Sequence, residues 1–288
     1  MNNVTLVCGG GGVWGVGWMT GIAMGLAERG LDLRAAASFI GTSAGSFIGT
    51  QLASGLDPQH LYVRQTDPSR QPYELSPNLA GMTGMMMELM QRSFATPRER
   101  LQAVCDIAAR THTVSPAERR ASIAARLGLQ NEVWPAKRLS ITAVDVDSLA
   151  LEVFDAQSGV SVVDAVAASC AVPGVWPPTP INGRRYIDGG VWGTAENARL
   201  ALGSSHVLIL SPLGGIGASP MGGAERLVDE VGQLQASGAQ VIVIAADEAA
   251  RATMAHGLLD PKSRKPAAEA GRRQALQETA ALALFSAA

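Results

Sequence analysis

Three short glycine-bearing segments have residue types and spacings that could do chemistry. Gly41-Thr42-Ser43-Ala44-Gly45 matches Gly-x-Ser-x-Gly and lies between an apolar run, Ser38-Phe39-Ile40, and a stretch of helical composition, Ala44–Ala53. A serine at such a strand-to-helix turn projects its hydroxyl from a tight bend, and small neighbours at Gly41 and Gly45 let strand and helix approach closely. The helix start behind it adds free N–H groups and the positive end of a dipole. The plain alternative is a Gly/Ser-rich turn without chemistry. The second segment is Asp188-Gly189-Gly190. A serine nucleophile needs a proton acceptor, and an aspartate is a poor one at its ordinary pKa of about 3.9. Burial with only a hydroxyl as partner raises it toward usefulness, and the two glycines admit another backbone segment. Asp-Gly-Gly is also an ordinary loop turn.

The third segment is the glycine cluster from Gly9 to Gly17. Consecutive glycines can turn several backbone N–H groups onto one oxygen, which an oxyanion hole requires, and each such donor is worth about 2.7–4 kcal/mol of barrier. Gly10, Gly11 and Gly12 are the candidate donors, with Gly15 supporting the turn. Gly10-x-Gly12-x-x-Gly15 also fits a dinucleotide fingerprint. That use requires an acidic residue near the end of the second strand, about 20 residues on, to hold the ribose hydroxyls. Here that strand runs into Gly41-Thr42-Ser43. Histidine, the usual base, is scarce. His60 and His112 fall in a helical insertion, whereas His206 or His256 could formally complete an order Ser43, Asp188, His. Against this, Ser43 follows only the second strand, too early for that type of hydrolase.

The elements that must position these segments alternate. Val4–Cys8, Ser38–Ile40, Leu139–Val144, Leu151–Phe154, Val207–Leu210 and Val241–Ala245 read as strands. Val16–Arg29, Ala44–Ala53, Val162–Ala171, Met221–Ala236 and Pro266–Phe285 read as helices. Asp164, three residues after Ser161, marks a helix cap, and Ser169 lies in helical sequence without a glycine elbow. The alternation predicts a mostly parallel sheet covered on both faces. All 288 residues read as one α/β domain with a helical insertion at about 57–138. In that insertion Met82, Met85, Met86, Leu89, Met90 and Phe94 share one helical face. From Arg92 to Arg138 nine basic residues face four acidic ones. The apolar face reads either as a helix packed on the core or, with the basic stretch, as a lid in peripheral contact with a membrane.

Bulk composition narrows the class. Hydrophobic residues make up 47% and charged residues 17% of the chain, enough for a sizeable core and unlike a disordered protein. A net charge of −2 argues against nucleic acid as a partner. Three cysteines, Cys8, Cys105 and Cys170, without a Cys-x-x-Cys pair, predict neither a disulfide framework nor a zinc site and fit a reducing, cytoplasmic compartment. Apolar runs such as Val241–Ala246 are far short of the ~20 residues of a membrane span. The N-terminus has no basic segment leading into an apolar stretch and a cleavage site.

Taken in order, these segments resemble the patatin-like phospholipase family of Ser–Asp dyad acyl hydrolases. Gly10-Gly11-Gly12-Val13-Trp14-Gly15 resembles its oxyanion loop, Gly41–Gly45 its nucleophile elbow, and Asp188-Gly189-Gly190 its base motif. Ala168–Pro178 is similar to the segment leading to that aspartate. The resemblance reaches from residue 9 to about 200. It implies a three-layer α/β/α sandwich, no metal or cofactor, a lipid ester as substrate, and a covalent acyl-enzyme on Ser43 with Asp188 as base. The family commonly has Arg or Lys just before the last glycine of its oxyanion loop, and this chain has Trp14. The residues alone leave two other readings open: a small-molecule carboxylesterase on the same dyad, and a lipid- or dinucleotide-binding module without catalysis.

Overall fold

The computed structural model describes residues 3–71, 75–214 and 226–287. β1 (Val4–Cys8) is buried along its whole length and leads through three glycines into α1 (Gly12–Glu28). β2 (Ser38–Thr42) leads through Ser43 into α2 (Ala44–Ala53). Four helices follow: α3 (Pro58–Thr66), α4 (Leu79–Met90), α5 (Pro97–Arg110) and α6 (Pro116–Leu127). Each starts on a side-chain cap, Asp57, Asn78, Thr96 and Ser115, the last with Glu118 in a complete capping box. Then come β3 (Arg138–Asp145), β4 (Leu151–Phe154), α7 (Val162–Ser169), β5 (Thr179–Ile181) and β6 (Arg184–Asp188). β7 (His206–Ser211), α8 (Leu227–Ala236), β8 (Gln240–Ala245), α9 (Glu248–Arg251), α10 (Arg264–Ala275) and α11 (Ala280–Ala287) complete the order.

The sheet runs β5-β6-β3-β2-β1-β7-β8, with β4 also paired to β3. β3, β2, β1, β7 and β8 are parallel, and β4, β5 and β6 join antiparallel. Strand alternation divides the apolar residues between two faces. Leu6, Cys8, Ile141, Leu208 and Leu210 pack with α1, α2, α7 and α10. Val7, Ile40, Val207 and Ile209 pack with α8 and the helical turn Ala198–Ala201, while Val144 and Ile187 pack with α4 and α5. The fold is therefore the expected three-layer α/β/α arrangement, and the insertion helices divide between its faces, α3 and α6 joining the α1 side and α4 and α5 the Val144–Ile187 side.

The sequence reading has three corrections. α1 begins at Gly12, four residues before the expected start, because only Gly9–Gly11 form the loop. The single helix expected over Pro266–Phe285 is two, α10 and α11. β5 and β6 were not expected at all, although their turn, Asn182-Gly183, has positive φ at both residues and is the usual two-residue hairpin chemistry. The part of the expected helix over Met221–Ala236 that precedes Arg226 lies outside the described residues. Among the described residues no helix is long and apolar enough to cross a membrane.

What fixes α1 is a row of glycines at four-residue spacing. Cβ atoms on Gly17 and Gly25 would come within 2.5 and 2.6 Å of the carbonyl oxygens of Arg264 and Arg272, and one on Gly21 would run into the Ala268 carbonyl. α1 and α10 thus touch backbone to backbone. Gly21→Ala is predicted to destabilise the protein by about 1–3 kcal/mol in urea unfolding. Gly84→Ala, where an added Cβ meets nothing within 4 Å, is predicted to stabilise it by about 0.5–1 kcal/mol.

Candidate active site

β2 ends at Thr42 and α2 begins at Ala44, so Ser43 alone makes the turn, at φ 53° and ψ −120°. A non-glycine residue at positive φ costs of order 1–3 kcal/mol and persists only when its surroundings hold it. They do. Ser43 N–H donates to Ser169 Oγ (2.8 Å), and the Ser43 carbonyl accepts from Ser46 Oγ (2.7 Å), Ser46 N (2.9 Å) and Cys170 Sγ (3.2 Å). Gly45 lies so close to β1 that any Cβ would collide with the Cys8 carbonyl, and one on Gly41 would come within 2.5 Å of the Ser46 Cα. Both elbow glycines are therefore required by close approach.

The pairing of β3 brings Asp188 to this turn. β4 pairs with Ile141–Val144, so it occupies one edge of β3. β2 pairs with β3 as far as Thr142, and β6 takes over at Ala143, so these two lie end to end along the other edge. Asp188 is the Cα partner of Ala143, one position beyond Thr42. Gly189 beside it is pressed onto Thr142, where a Cβ would clash. The Asp188 carboxylate lies beside the Ser43 side chain, and Gly190 N–H donates to Asp188 Oδ1 at 2.9 Å. Burial pushes the Asp188 carboxyl up to about 6, against the opposing pull of the neighbouring Ser43 hydroxyl and the Gly190 N–H.

The glycine loop crosses the same end of the sheet. Gly9 N–H donates to the Leu210 carbonyl (2.9 Å) and Gly10 N–H to the Ala195 carbonyl (2.8 Å). The expected donor set is thereby corrected: Gly10 spends its N–H on the fold. Gly11 and Gly12 donate to no acceptor among the described residues. Gly11 is packed on Pro212, Gly12 has φ 62° against the Leu258 carbonyl, and Gly15 N–H closes the turn onto the Gly11 carbonyl (2.8 Å). Trp14 points away from the cleft. It is fully buried, stacks on Trp18 and donates from Nε1 to Thr253 Oγ1 at 2.8 Å. Its backbone N–H donates to the Leu258 carbonyl, so it anchors the segment whose Leu258 and Leu259 wall the cleft.

That cleft, about 730 Å³ including its open mouth, is lined by Gly10, Gly11, Gly12, Ser43, Asp188 and Gly190 on its floor. Its walls are Met82, Val172, Pro173, Val191, Ala195, Leu213, Leu258 and Leu259. No histidine lines it. His206 pairs with Val4 at the N-terminal end of the strands, opposite the site, and its Nδ1 meets Ser205 Oγ at 2.9 Å. His256 is exposed on a helical turn outside the lining.

The methionine face of α4 is mainly core. Met85 and Leu89 are buried at 2% and 5% exposure, and Met86 and Phe94 pack partly buried against the same cluster. Met82 reaches the cleft and Met90 is 85% exposed. The apolar residues turned outward on α4 are instead Leu79, Met87 and Met90. Several of the basic residues are engaged internally: Arg92 and Arg110 with Glu88, Arg120 with Glu132 and Asp164, Arg119 over Trp176.

Some residues that hold the site were missed in the sequence. Ser169, set aside for lacking an elbow, accepts from the Ser43 N–H. Glu196 is buried beneath Gly9, accepts from Ser211 Oγ at 2.6 Å, and burial pushes its carboxyl up to about 7. Asn197, at φ 50°, is fully buried. No local spacing announces these; the Asn182-Gly183 turn was the one readable signal nearby. The three cysteines are free and buried, and burial pushes Cys8 and Cys105 up to about 12 and Cys170 to about 11.

The solved structures similar to this chain include three of low identity. VipD from Legionella pneumophila aligns with a TM-score of 0.47 and 14% identity over 99% of this chain and 67% of its own. The type III effector ExoU aligns at 0.38 and 17% over 96% of this chain and 54% of its own. ExoU in complex with SpcU, from the type III secretion system of Pseudomonas aeruginosa, aligns at 0.37 and 20% over 96% and 53%. The chain thus spans little more than half of the ExoU chains, and these likenesses carry no argument about chemistry. No curated protein sequence matches it. The patatin-like phospholipase profile, however, matches residues 6–197, the span that holds the glycine loop, the serine elbow and Asp188, and the chain belongs to that family.

Proposed function

We infer that this protein is a serine acyl hydrolase that cleaves lipid carboxylic esters, phospholipid or acylglycerol, through Ser43 and Asp188. The observation that carries this reading is the juxtaposition of the Ser43 side chain and the buried Asp188 carboxylate at the floor of an apolar cleft. Membership of the patatin-like phospholipase family supports a lipid hydrolase.

The chemistry follows from these groups. Ser43 Oγ attacks the ester carbonyl carbon while Asp188 takes the hydroxyl proton. Negative charge develops on the carbonyl oxygen, for which the uncommitted N–H groups of Gly11 and Gly12 are the candidate donors. The carbon–oxygen bond to the alcohol then breaks, and Asp188 returns the proton to the leaving oxygen. Water, deprotonated by Asp188, attacks the acyl carbon and frees Ser43, which recovers a proton. The wall residues Met82, Val172, Pro173, Val191, Leu213, Leu258 and Leu259 suit an acyl chain. Burying a charged head group there without a partner would be costly, so the head group is assigned to the mouth. α4 borders that mouth through Met82, and its outward Leu79, Met87 and Met90 form the face by which the protein would rest on a lipid surface.

Three outcomes are predicted. A fluorophosphonate probe labels the wild-type protein and fails to label Ser43→Ala, whose ester turnover drops by about 10⁴-fold or more; labelling that persists in Ser43→Ala contradicts the nucleophile. Because Asp188 must be ionised to accept the proton, kcat/KM for a soluble ester rises with pH through about 6, and Asp188→Asn lowers it by about 10²–10⁴-fold. Replacing both Met87 and Met90 by Glu weakens co-flotation with phosphatidylcholine–phosphatidylglycerol vesicles by about tenfold or more; unchanged flotation removes α4 as the contact.

A further inference from the structure

We propose that Asn197 is a positioning residue that sets the separation of Ser43 and Asp188 by tying together the residues beside them, an inference that rests on reading those two as the catalytic dyad. β2 and β6 lie end to end on one edge of β3, and among the described residues no ladder joins them directly. They are aligned through β3 and through the Ser169–Ala171 segment, where Ser169 Oγ accepts the Ser43 N–H and the Ala171 carbonyl accepts the Asp188 N–H, and the gap between their ends is the place where nucleophile and base must meet.

Asn197 bridges that gap. Its Nδ2 donates to Thr42 Oγ1 at 3.1 Å, on the residue preceding the nucleophile, and to the Gly189 carbonyl at 3.3 Å, on the residue following the base. A carbonyl can only accept, so the amide nitrogen, not its oxygen, faces Gly189. Thr42 Oγ1 also meets Thr142 Oγ1 at 2.8 Å, which joins the bridge to the strand that both others share. The side chain is fully buried and is absent from the cleft lining, so Asn197 touches no substrate. Its backbone, at φ 50° and ψ 41°, is in the left-handed region that asparagine tolerates well. Its N–H donates to Thr194 Oγ1 at 2.8 Å, and the Thr194 hydroxyl donates to buried Glu230 at 2.7 Å. The Asn197 backbone is thus held from behind, while its Oδ1 is buried without a hydrogen-bond partner and only Nδ2 makes the bridge.

A neutral hydrogen bond makes a small net contribution to stability, whereas misplacing a reacting pair by an ångström costs about 10²-fold in rate. Removal of this amide is therefore expected to appear in the rate out of proportion to its effect on folding. The test uses purified full-length protein and p-nitrophenyl butyrate, with kcat and KM measured separately and thermal unfolding recorded for each variant. Asn197→Gly keeps the left-handed backbone and removes the bridge; it is expected to lower kcat by about 10–100-fold with KM within about twofold. Thr42→Val, which removes the acceptor at constant shape, is expected to behave likewise, and Thr42→Ser, which restores the hydroxyl, to recover most of the rate. Thr42→Val/Asn197→Gly is expected to be no slower than the slower single variant, as for two partners of one bond.

Wild-type kcat in folded Asn197→Gly, or multiplicative losses in the double variant, would overturn the proposal. If Asn197→Gly does not fold, the Thr42→Val and Thr42→Ser pair decides alone: equal kcat in both overturns it. Ser43→Ala run alongside separates the two claims. Full turnover in Ser43→Ala defeats the dyad itself, whereas turnover lost in Ser43→Ala but retained in Asn197→Gly defeats only the positioning role.

Discussion

The whole site depends on how one edge of β3 is shared. β2 occupies that edge up to Thr142 and β6 from Ala143 onward. The parallel strand therefore delivers Ser43 and the antiparallel strand delivers Asp188 to the same point from opposite directions. Had β6 paired along the other edge, which β4 fills, Asp188 would face away from the elbow. Reversal of direction matters equally, because β6 must finish where β2 finishes for their last side chains to meet. The Asn182-Gly183 turn, which sends β6 back against β5, is thus as much a part of the site's geometry as the serine.

Around this point the fold holds two arrangements that cost it stability. Ser43 is held at positive φ, and Asp188 sits where burial opposes its charge. Each would relax if its neighbours loosened. Close backbone packing prevents that: Gly45 on the Cys8 carbonyl fixes α2 to β1, Gly189 on Thr142 fixes the base turn to β3, and Gly12 against Leu258 fixes the glycine loop to the cleft wall. The α1–α10 contact through Gly17, Gly21 and Gly25 anchors the helix that the glycine loop enters. A polar layer of Thr42, Thr142, Thr194, Asn197 and Glu230 then locks the ends of β2 and β6 from beneath, where an apolar layer would leave their ends free to slide.

What the sequence revealed was whatever is local. β1, α2 and β4 have the bounds that apolar runs and turn residues predict, because each is decided by its own few residues. Ser43, Asp188 and the glycine loop were legible because close backbone approach around them demands glycine at fixed offsets. The supporting residues were not. Ser169 and Asn197 act on segments 126 and 155 residues away, and no periodicity encodes such a partner. Gly10 shows the opposite error: its type suits an oxyanion donor, yet the fold uses its N–H to bind Ala195. The apolar stripe was read as one helical face from Met82 to Phe94, but α4 ends at Met90, before Phe94, and packing puts Met85 and Leu89 inside and Met90 outside. Trp14, conspicuous as a departure from the family's loop, turns out to point away from the reacting groups and into the core.

The central claim is that an acyl group is transferred to Ser43, and the most direct measurement is to find it there. Asp188→Asn, mixed with a p-nitrophenyl acyl ester and quenched in acid, retains any acyl-enzyme whose hydrolysis needs the base. Tandem mass spectrometry of the digested protein is predicted to place the acyl mass on the Ser43 hydroxyl of the peptide that contains Gly41–Gly45. An acyl mass on any other residue, or turnover of the ester by wild-type protein with the Ser43 peptide unmodified under every quench, would contradict the account.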